Sequence, residues 1–114
     1  MRDAFHEELD AINATLADLS KRVQKAMEQA THALLTADLA LAEQVIAEDN
    51  QIDEIQHALD AQTIDLMARQ QPVASDLRAL VVSLRMSADL ERMGDLAHHI
   101  AKSARMRYPA TAVP

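Results

Sequence analysis

The chain has 114 residues, no cysteine, one glycine, one phenylalanine, one tyrosine and a formal net charge of −7. The lack of cysteine excludes disulfides, zinc fingers and thiol nucleophiles, and a single glycine excludes the glycine-rich loops that cradle phosphates. The acidic balance and the scarcity of aromatic side chains disfavour nucleic-acid binding. The sequence contains no apolar run of about 18 residues, the length that a membrane-spanning helix needs, so no membrane span is predicted. The N-terminal residues lack the apolar stretch of a signal peptide, so the expected compartment is the cytoplasm.

Apolar residues spaced by three and four predict three long helices, over about residues 3–35, 38–70 and 73–107. Asp3 is the expected N-cap of the first helix. A weak break, with Thr36 or Asp38 as the next N-cap, divides the first two helices, and Pro72 divides the second from the third. The three predicted stripes are Phe5, Leu9, Ile12, Leu16, Leu19, Val23, Met27, Ala30 and Leu34; Leu39, Ala42, Val45, Ile46, Ile52, Leu59 and Leu66; and Leu77, Leu80, Val81, Leu84, Ala88, Ile100 and Ala101.

Three helices of about 30 residues with short connections predict an all-α fold. The expected architecture is an elongated antiparallel up-down-up three-helix bundle over residues 1–108. Residues 109–114 are expected to form a loose C-terminal tail or the beginning of a linker. A single bundle with an alanine-rich face and several methionines should leave an apolar strip exposed, which predicts a homodimer.

Acidic residues interrupt the predicted apolar pattern of the second and third helices. Asp49 and Asp53 form a pair at i, i+4, and Glu91 and Asp95 form another. Residues at this spacing share one face of a helix. Each pair should therefore present two carboxylates side by side.

Folding the second and third helices about Pro72 should bring the two pairs level. Positions 49 and 95 are equally far from position 72, and so are positions 53 and 91. Four crowded carboxylates repel each other, and hard oxygen donors at this density suit a divalent or trivalent metal ion such as iron, zinc, manganese or magnesium. The alternatives are a solvated acidic face and a structural ion pair with Arg92.

Other polar residues give weaker signals near these pairs. Gly94 either admits a ligand between Glu91 and Asp95 or allows close helix packing, because glycine in a helix interior is otherwise unfavourable. His98 is either a ligand, direct or indirect, or a solvated side chain, and the same holds for the neighbouring His99. Glu54 and His57 have the ExxH spacing of di-iron bundles in a single copy, and Glu54 lies off the apolar stripe.

The chain resembles the PhoU family along nearly its whole length. The resemblance is carried by residues 68–78 (ARQQPVASDLR) at the turn between helices, and by residues 90–95 (LERMGD). It is also carried by residues 41–46 (LAEQVI) followed by Asp49 and Asp53, and by the spacing of Phe5, Glu8 and Leu9. The family normally contains two such repeats. This chain contains one, and is either half of a longer protein or a unit that associates with a second copy.

The resemblance implies a role in phosphate regulation. Members of the family are accessory regulators of a phosphate ABC transporter, contact its ATPase and a phosphate-sensing histidine kinase, and negatively control the phosphate regulon. They are not enzymes, and they bind metal clusters through acidic motifs that match Asp49, Asp53, Glu91 and Asp95 here. Such a protein would lie at the inner face of the cell membrane through its partners. The alternatives are a carboxylate-bridged dimetal enzyme of the ferritin-like type and a plain helical oligomerisation module.

Overall fold

The computed structural model of the chain describes residues 3–111 and contains three α-helices in this part of the chain: α1 (Ala4–Thr36), α2 (Leu39–Gln70) and α3 (Ala74–Arg107). Each helix packs against both others. The molecule measures 58 × 21 × 19 Å. A helix of 33 residues is about 50 Å long, so a single helix length sets the long dimension. The predicted all-α, rod-shaped three-helix bundle is confirmed.

The helix ends follow from a few local side-chain and backbone features. The Asp3 side chain accepts a hydrogen bond from the backbone N–H of His6, and Asp38 accepts one from the backbone N–H of Leu41. Of the two candidates for the second N-cap, the structure therefore uses Asp38. Ala37 and Gln71 end α1 and α2 in the left-handed region, with φ of 53° and 43°. Two short reversals thus arrange the helices up, down and up.

The buried residues form one stripe on each helix. The α1 stripe follows the prediction as far as Val23 and then runs through Ala26, Ala30 and Ala33, with Met27 and Leu34 partly buried beside it. The α2 stripe contains polar as well as apolar side chains: Ala42, Val45, Asp49, Ile52, Gln56, Leu59, Thr63 and Leu66.

The predicted α3 stripe was correct at Leu80 and Ala101, which are buried, but wrong at Leu77 and Val81. The buried α3 residues are mostly small: Leu80, Ser83, Ser87, Leu90, Gly94, Ala97, Ala101 and Ala104. Leu77 and Val81 are instead exposed. Reading hydrophobicity alone selected the larger side chains, whereas close helix packing favours the small ones.

After α3, Pro109 and Ala110 form a turn that is exposed, as expected for a tail. Residues 112–114 of the predicted tail lie outside the described residues, as do residues 1 and 2. Between residues 3 and 111, no helix combines the length and the hydropathy that a membrane crossing requires.

Candidate metal centre

Two side-chain contacts fix how α2 and α3 lie against each other. The amide Nε2 of Gln56 donates to Oγ of Ser87 at 3.3 Å. Nearer the other end, Nδ1 of His98 lies 2.6 Å from Oδ2 of Asp49. The two contacts join positions nearly equidistant from the α2–α3 turn, as an antiparallel pair requires. The same register puts the acidic pair of α2 at the level of the acidic pair of α3.

Asp49 is the acidic residue that lies within the buried stripe. It is 8% exposed. Because a carboxylate only accepts, the contact at Oδ2 selects the His98 tautomer that carries its proton on Nδ1 and donates it. Nε2 of His98 is buried and has no hydrogen-bond partner among residues 3–111. His98 therefore holds Asp49 through Nδ1 and leaves its second ring nitrogen without a partner in the described part of the chain.

Asp53 lies one turn further along α2 and is half-buried. Its partial burial raises the pKa of the carboxyl, and the negative charges of Asp49, Asp95 and Glu91 raise this pKa further, whereas His57 lowers it. The three other predicted site residues thus all act electrostatically on Asp53.

Glu91 and Asp95 occupy a different position from the one expected. The sequence placed them in the apolar register, but both are exposed, and the buried stripe passes beside them through Leu90 and Gly94. The negative charges of both residues act on Asp53, so they lie near it where α2 meets α3. The surface that carries Asp49, Asp53, Glu91 and Asp95 is here called the acidic groove.

Gly94 packs against the core. A Cβ atom built on this residue would meet Cγ2 of Ile52 at 3.7 Å and Cγ2 of Val23 at 3.9 Å. These are ordinary van der Waals distances to side chains of both neighbouring helices. Of the two explanations for this glycine, the structure favours close helix packing.

The remaining candidates separate clearly. Glu54, His57 and His99 are exposed. Glu54 and His57 therefore do not form the inward-facing ExxH site of a di-iron bundle. The sequence made His98 only a weak candidate. The signal that could have identified it is that His98 and Asp49 lie at similar distances from the turn between α2 and α3, so the two residues face each other.

The donor set suits a hard cation, although the side chains are not gathered around one point. Within residues 3–111, no group of three or more histidine, aspartate or glutamate side chains is placed to hold a metal ion. The raised pKa of Asp53 and the partnerless Nε2 of His98 nevertheless show uncompensated polar groups in this groove. A cation bound by these carboxylates, including the exposed Glu91 and Asp95, would supply the positive charge that balances them.

The fold and this groove define a class: a helical bundle that carries level acidic motifs on two adjacent helices. The family model of the PhoU domain matches residues 16–104. The chain belongs to the PhoU family.

Curated relatives match all or most of the chain. The phosphate-specific transport system accessory protein PhoU homolog 2 of Mycobacterium tuberculosis is 46% identical over all 114 residues, which cover 54% of that protein. Homolog 1 of Mycobacterium leprae is 45% identical over the same length, covering 51% of that protein. The homolog of Pseudomonas aeruginosa is 37% identical over 100 residues, or 88% of this chain and 41% of that protein. The chain thus spans about half the length of these relatives.

Proposed function

We propose that this chain is a metal-binding regulatory adaptor of phosphate uptake and not an enzyme. The observation that carries the proposal is the match of the whole chain to proteins named as accessory to a phosphate-specific transport system. The acidic groove between α2 and α3 supports the metal-binding part. The relatives are named as accessory proteins of a transport system, which supports an adaptor and not an enzyme.

The proposed metal ligands are Asp49, Asp53, Glu91 and Asp95. Two lie on α2 and two on α3, so a cation held by both pairs would link the helices. The ion supplies positive charge to a groove in which the carboxylates raise the pKa of Asp53. Iron, zinc, manganese and magnesium all accept such oxygen donors.

His98 contributes to this site by fixing one of its carboxylates. Its bond to Oδ2 holds Asp49 against α3 and leaves Oδ1 for other contacts. Because the pair is largely shielded from water, it should keep its geometry whether or not the exposed Glu91 and Asp95 move. Metal binding would then link Asp49 and Asp53 on α2 to the exposed Glu91 and Asp95 on α3.

The proposed partners are the ATPase of the phosphate ABC transporter and the phosphate-sensing histidine kinase. The chain would act in the cytoplasm at the inner face of the membrane, held there by these partners. It would lower expression of the phosphate regulon when phosphate is plentiful. We further propose that it functions as a homodimer, because large apolar side chains such as Met86, Met93 and Leu96 are exposed on α3.

A reporter experiment tests the regulatory part. The chain is expressed in a bacterium that lacks its own PhoU protein and carries a reporter under phosphate-regulon control. We expect reporter expression in high phosphate to fall toward the level of the parent strain, and both the transporter ATPase and the kinase to be retained on the immobilised chain. Full reporter expression together with no retention of either protein would contradict the proposal.

Elemental analysis of the untagged, purified chain tests the metal-binding part and distinguishes the enzyme alternative. We expect about one or more metal ions per chain and no oxygen consumption by the ferrous-loaded form. Asp53→Asn should lower the metal content, whereas Glu43→Gln, an exposed acid on the same helix, should leave it unchanged. Rapid oxygen uptake by the ferrous form would instead favour a dimetal oxidase.

A further inference from the structure

Helix α3 carries a second row of apolar side chains, separate from its buried stripe. The row, here called the outer seam, has the spacing four, three, four, three, four and consists of Val82, Met86, Asp89, Met93, Leu96 and Ile100. Successive steps of three and four are the heptad pattern by which one helix packs along another. Among residues 3–111, the apolar seam residues Val82, Met86, Met93 and Leu96 remain exposed, whereas Ile100 at the end of the row packs partly against the core.

The outer seam is exposed over most of its length. Met86 is 48% and Met93 43% exposed, while Val82 and Leu96 each have about half of their surface exposed. From Val82 to Ile100 the seam extends about 27 Å along the helix. Large apolar side chains arranged in such a continuous row are typical of an interaction surface.

The seam and the acidic groove lie on opposite flanks of α3. Glu91 and Asp95 border α2, because their charges act on Asp53. The other flank borders α1, where an apolar groove of about 390 Å³ is lined by Met27, Leu35 and neighbouring residues. A partner on this flank would therefore leave the proposed metal ligands accessible.

The apolar groove of α1 lies beside the Ile100 end of the outer seam. His6 and Asn13 contact Asp76 and Ser83, and both pairs are 70 residues apart. At this offset the groove residue Thr31 is level with α3 residue 101. The apolar surface is therefore broadest near Ile100.

The spacing of the outer seam is symmetric about its centre, which suits pairing with itself. In an antiparallel pair of α3 helices, Val82 would lie opposite Ile100 of the partner subunit. Met86 would likewise lie opposite Leu96 of the partner subunit. Symmetric pairs of this kind are the usual form of a homodimer interface.

Charges at the centre of the seam complement each other in the same arrangement. Arg92 lies 3.3 Å from Asp89 on one exposed surface. Near the two-fold axis, each Arg92 would also lie close to Asp89 of the partner subunit. Two aspartates and two arginines would then form a neutral cluster, which explains how an acidic residue can occupy the middle of an apolar seam.

We propose that two copies of this chain associate through antiparallel contact of their outer seams. The inference rests on the homodimer of the proposed function and assigns its surface. A second copy is the occupant that the seam fits, because both its spacing and the Asp89–Arg92 charges are complementary to themselves in the antiparallel arrangement. The acidic grooves would face outward, one on each copy.

Light scattering over a range of protein concentrations, with and without a chelator, provides the first test. We expect a mass of twice 12.6 kDa, and at least a tenfold weaker association for Met93→Glu. The matched control is Ile64→Glu on α2, since Ile64 is an apolar side chain with 56% exposure away from the seam. Circular dichroism should show that both variants keep their helical content.

A charge exchange provides the second test and identifies the antiparallel arrangement. Asp89→Arg and Arg92→Asp should each be monomeric, because four like charges would meet at the axis. When mixed, the two variants should form a heterodimer, because both arginines of one copy then face both aspartates of the other. Neither variant touches the core, so both should remain folded.

The outcomes separate this inference from the proposed function. A monomeric wild type at millimolar concentration would overturn the seam and the homodimer together. A wild-type dimer that is unaffected by Met93→Glu, or a charge-exchanged mixture that stays monomeric, would overturn the seam alone and indicate another surface. Metal content, measured on the same samples, should be the same in the seam variants and in the wild type. A wild-type protein that contains no metal would contradict only the metal-binding proposal.

Discussion

Replacing Gly94 with alanine should stabilise the protein, although this glycine lies between two proposed metal ligands. Glycine in a helix interior costs about 1 kcal/mol relative to alanine. The added methyl group would meet Ile52 and Val23 at 3.7 and 3.9 Å, so it fits without displacing either side chain. We expect a gain of about 1 kcal/mol in the free energy of unfolding, equivalent to roughly 4 °C in the midpoint of thermal unfolding for a domain of this size.

Thermal and urea unfolding of Gly94→Ala, with its metal content, measure this effect. The reverse change on the same stripe, Ala97→Gly, should destabilise by at least about 1 kcal/mol, because a buried methyl group is also lost. Metal content should stay at the wild-type level in Gly94→Ala. A loss of stability, or a loss of metal at unchanged stability, would refute the packing explanation and restore the idea that this glycine admits a ligand.

Three further predictions concern single groups. His98→Ala should lower the free energy of unfolding by about 1–3 kcal/mol in chemical denaturation, since the buried Asp49 loses its partner, and His99→Ala should have no effect. Ala37→Gly should raise the free energy of unfolding by about 1 kcal/mol, because φ is 53° at this residue and glycine adopts that conformation without strain. The folded state raises the pKa of Asp53 above its ordinary value of 3.8, so the folded protein binds a proton there more tightly than the unfolded chain does. Protonation of Asp53 should therefore stabilise the metal-free protein increasingly as the pH falls through its raised folded-state pKa toward 3.8, whereas Asp3, whose pKa is lowered, opposes this trend at acidic pH. His6, whose pKa is raised above 6.5 by Asp3 and Asp76, acts in the same direction as Asp53, so the Asp53 contribution is the part of the pH slope that disappears in Asp53→Asn.

The sequence predicted the helices well because their determinants are local. Asp3 and Asp38 cap the first two helices, and Pro72 follows the end of α2. The regular spacing of large apolar residues also identified the buried stripe of α1 as far as Val23. These features depend on neighbours a few residues away and can be recognised without a structure.

The packing of α3 could not be predicted in the same way. Its buried stripe is built from Ser83, Ser87, Gly94 and small alanines, whereas several larger side chains remain outside. Which face of a helix is buried depends on how closely its neighbours approach, and hydrophobicity does not report that distance. The same reliance on hydrophobicity placed Glu91 and Asp95 inside the bundle. The prediction that the two acidic pairs lie at equal distances from Pro72 nevertheless agrees with the α2–α3 contacts.

Calorimetric titration of the chelator-treated chain with zinc or ferrous ions tests the central claim most directly. The account predicts binding of at least one ion per chain, weakened about tenfold or more by Asp53→Asn and unchanged by Glu43→Gln. The two variants remove the same charge from the same helix, so only position distinguishes them. Equal affinity in both variants, or no binding by the wild type at millimolar metal, would contradict a metal centre between α2 and α3.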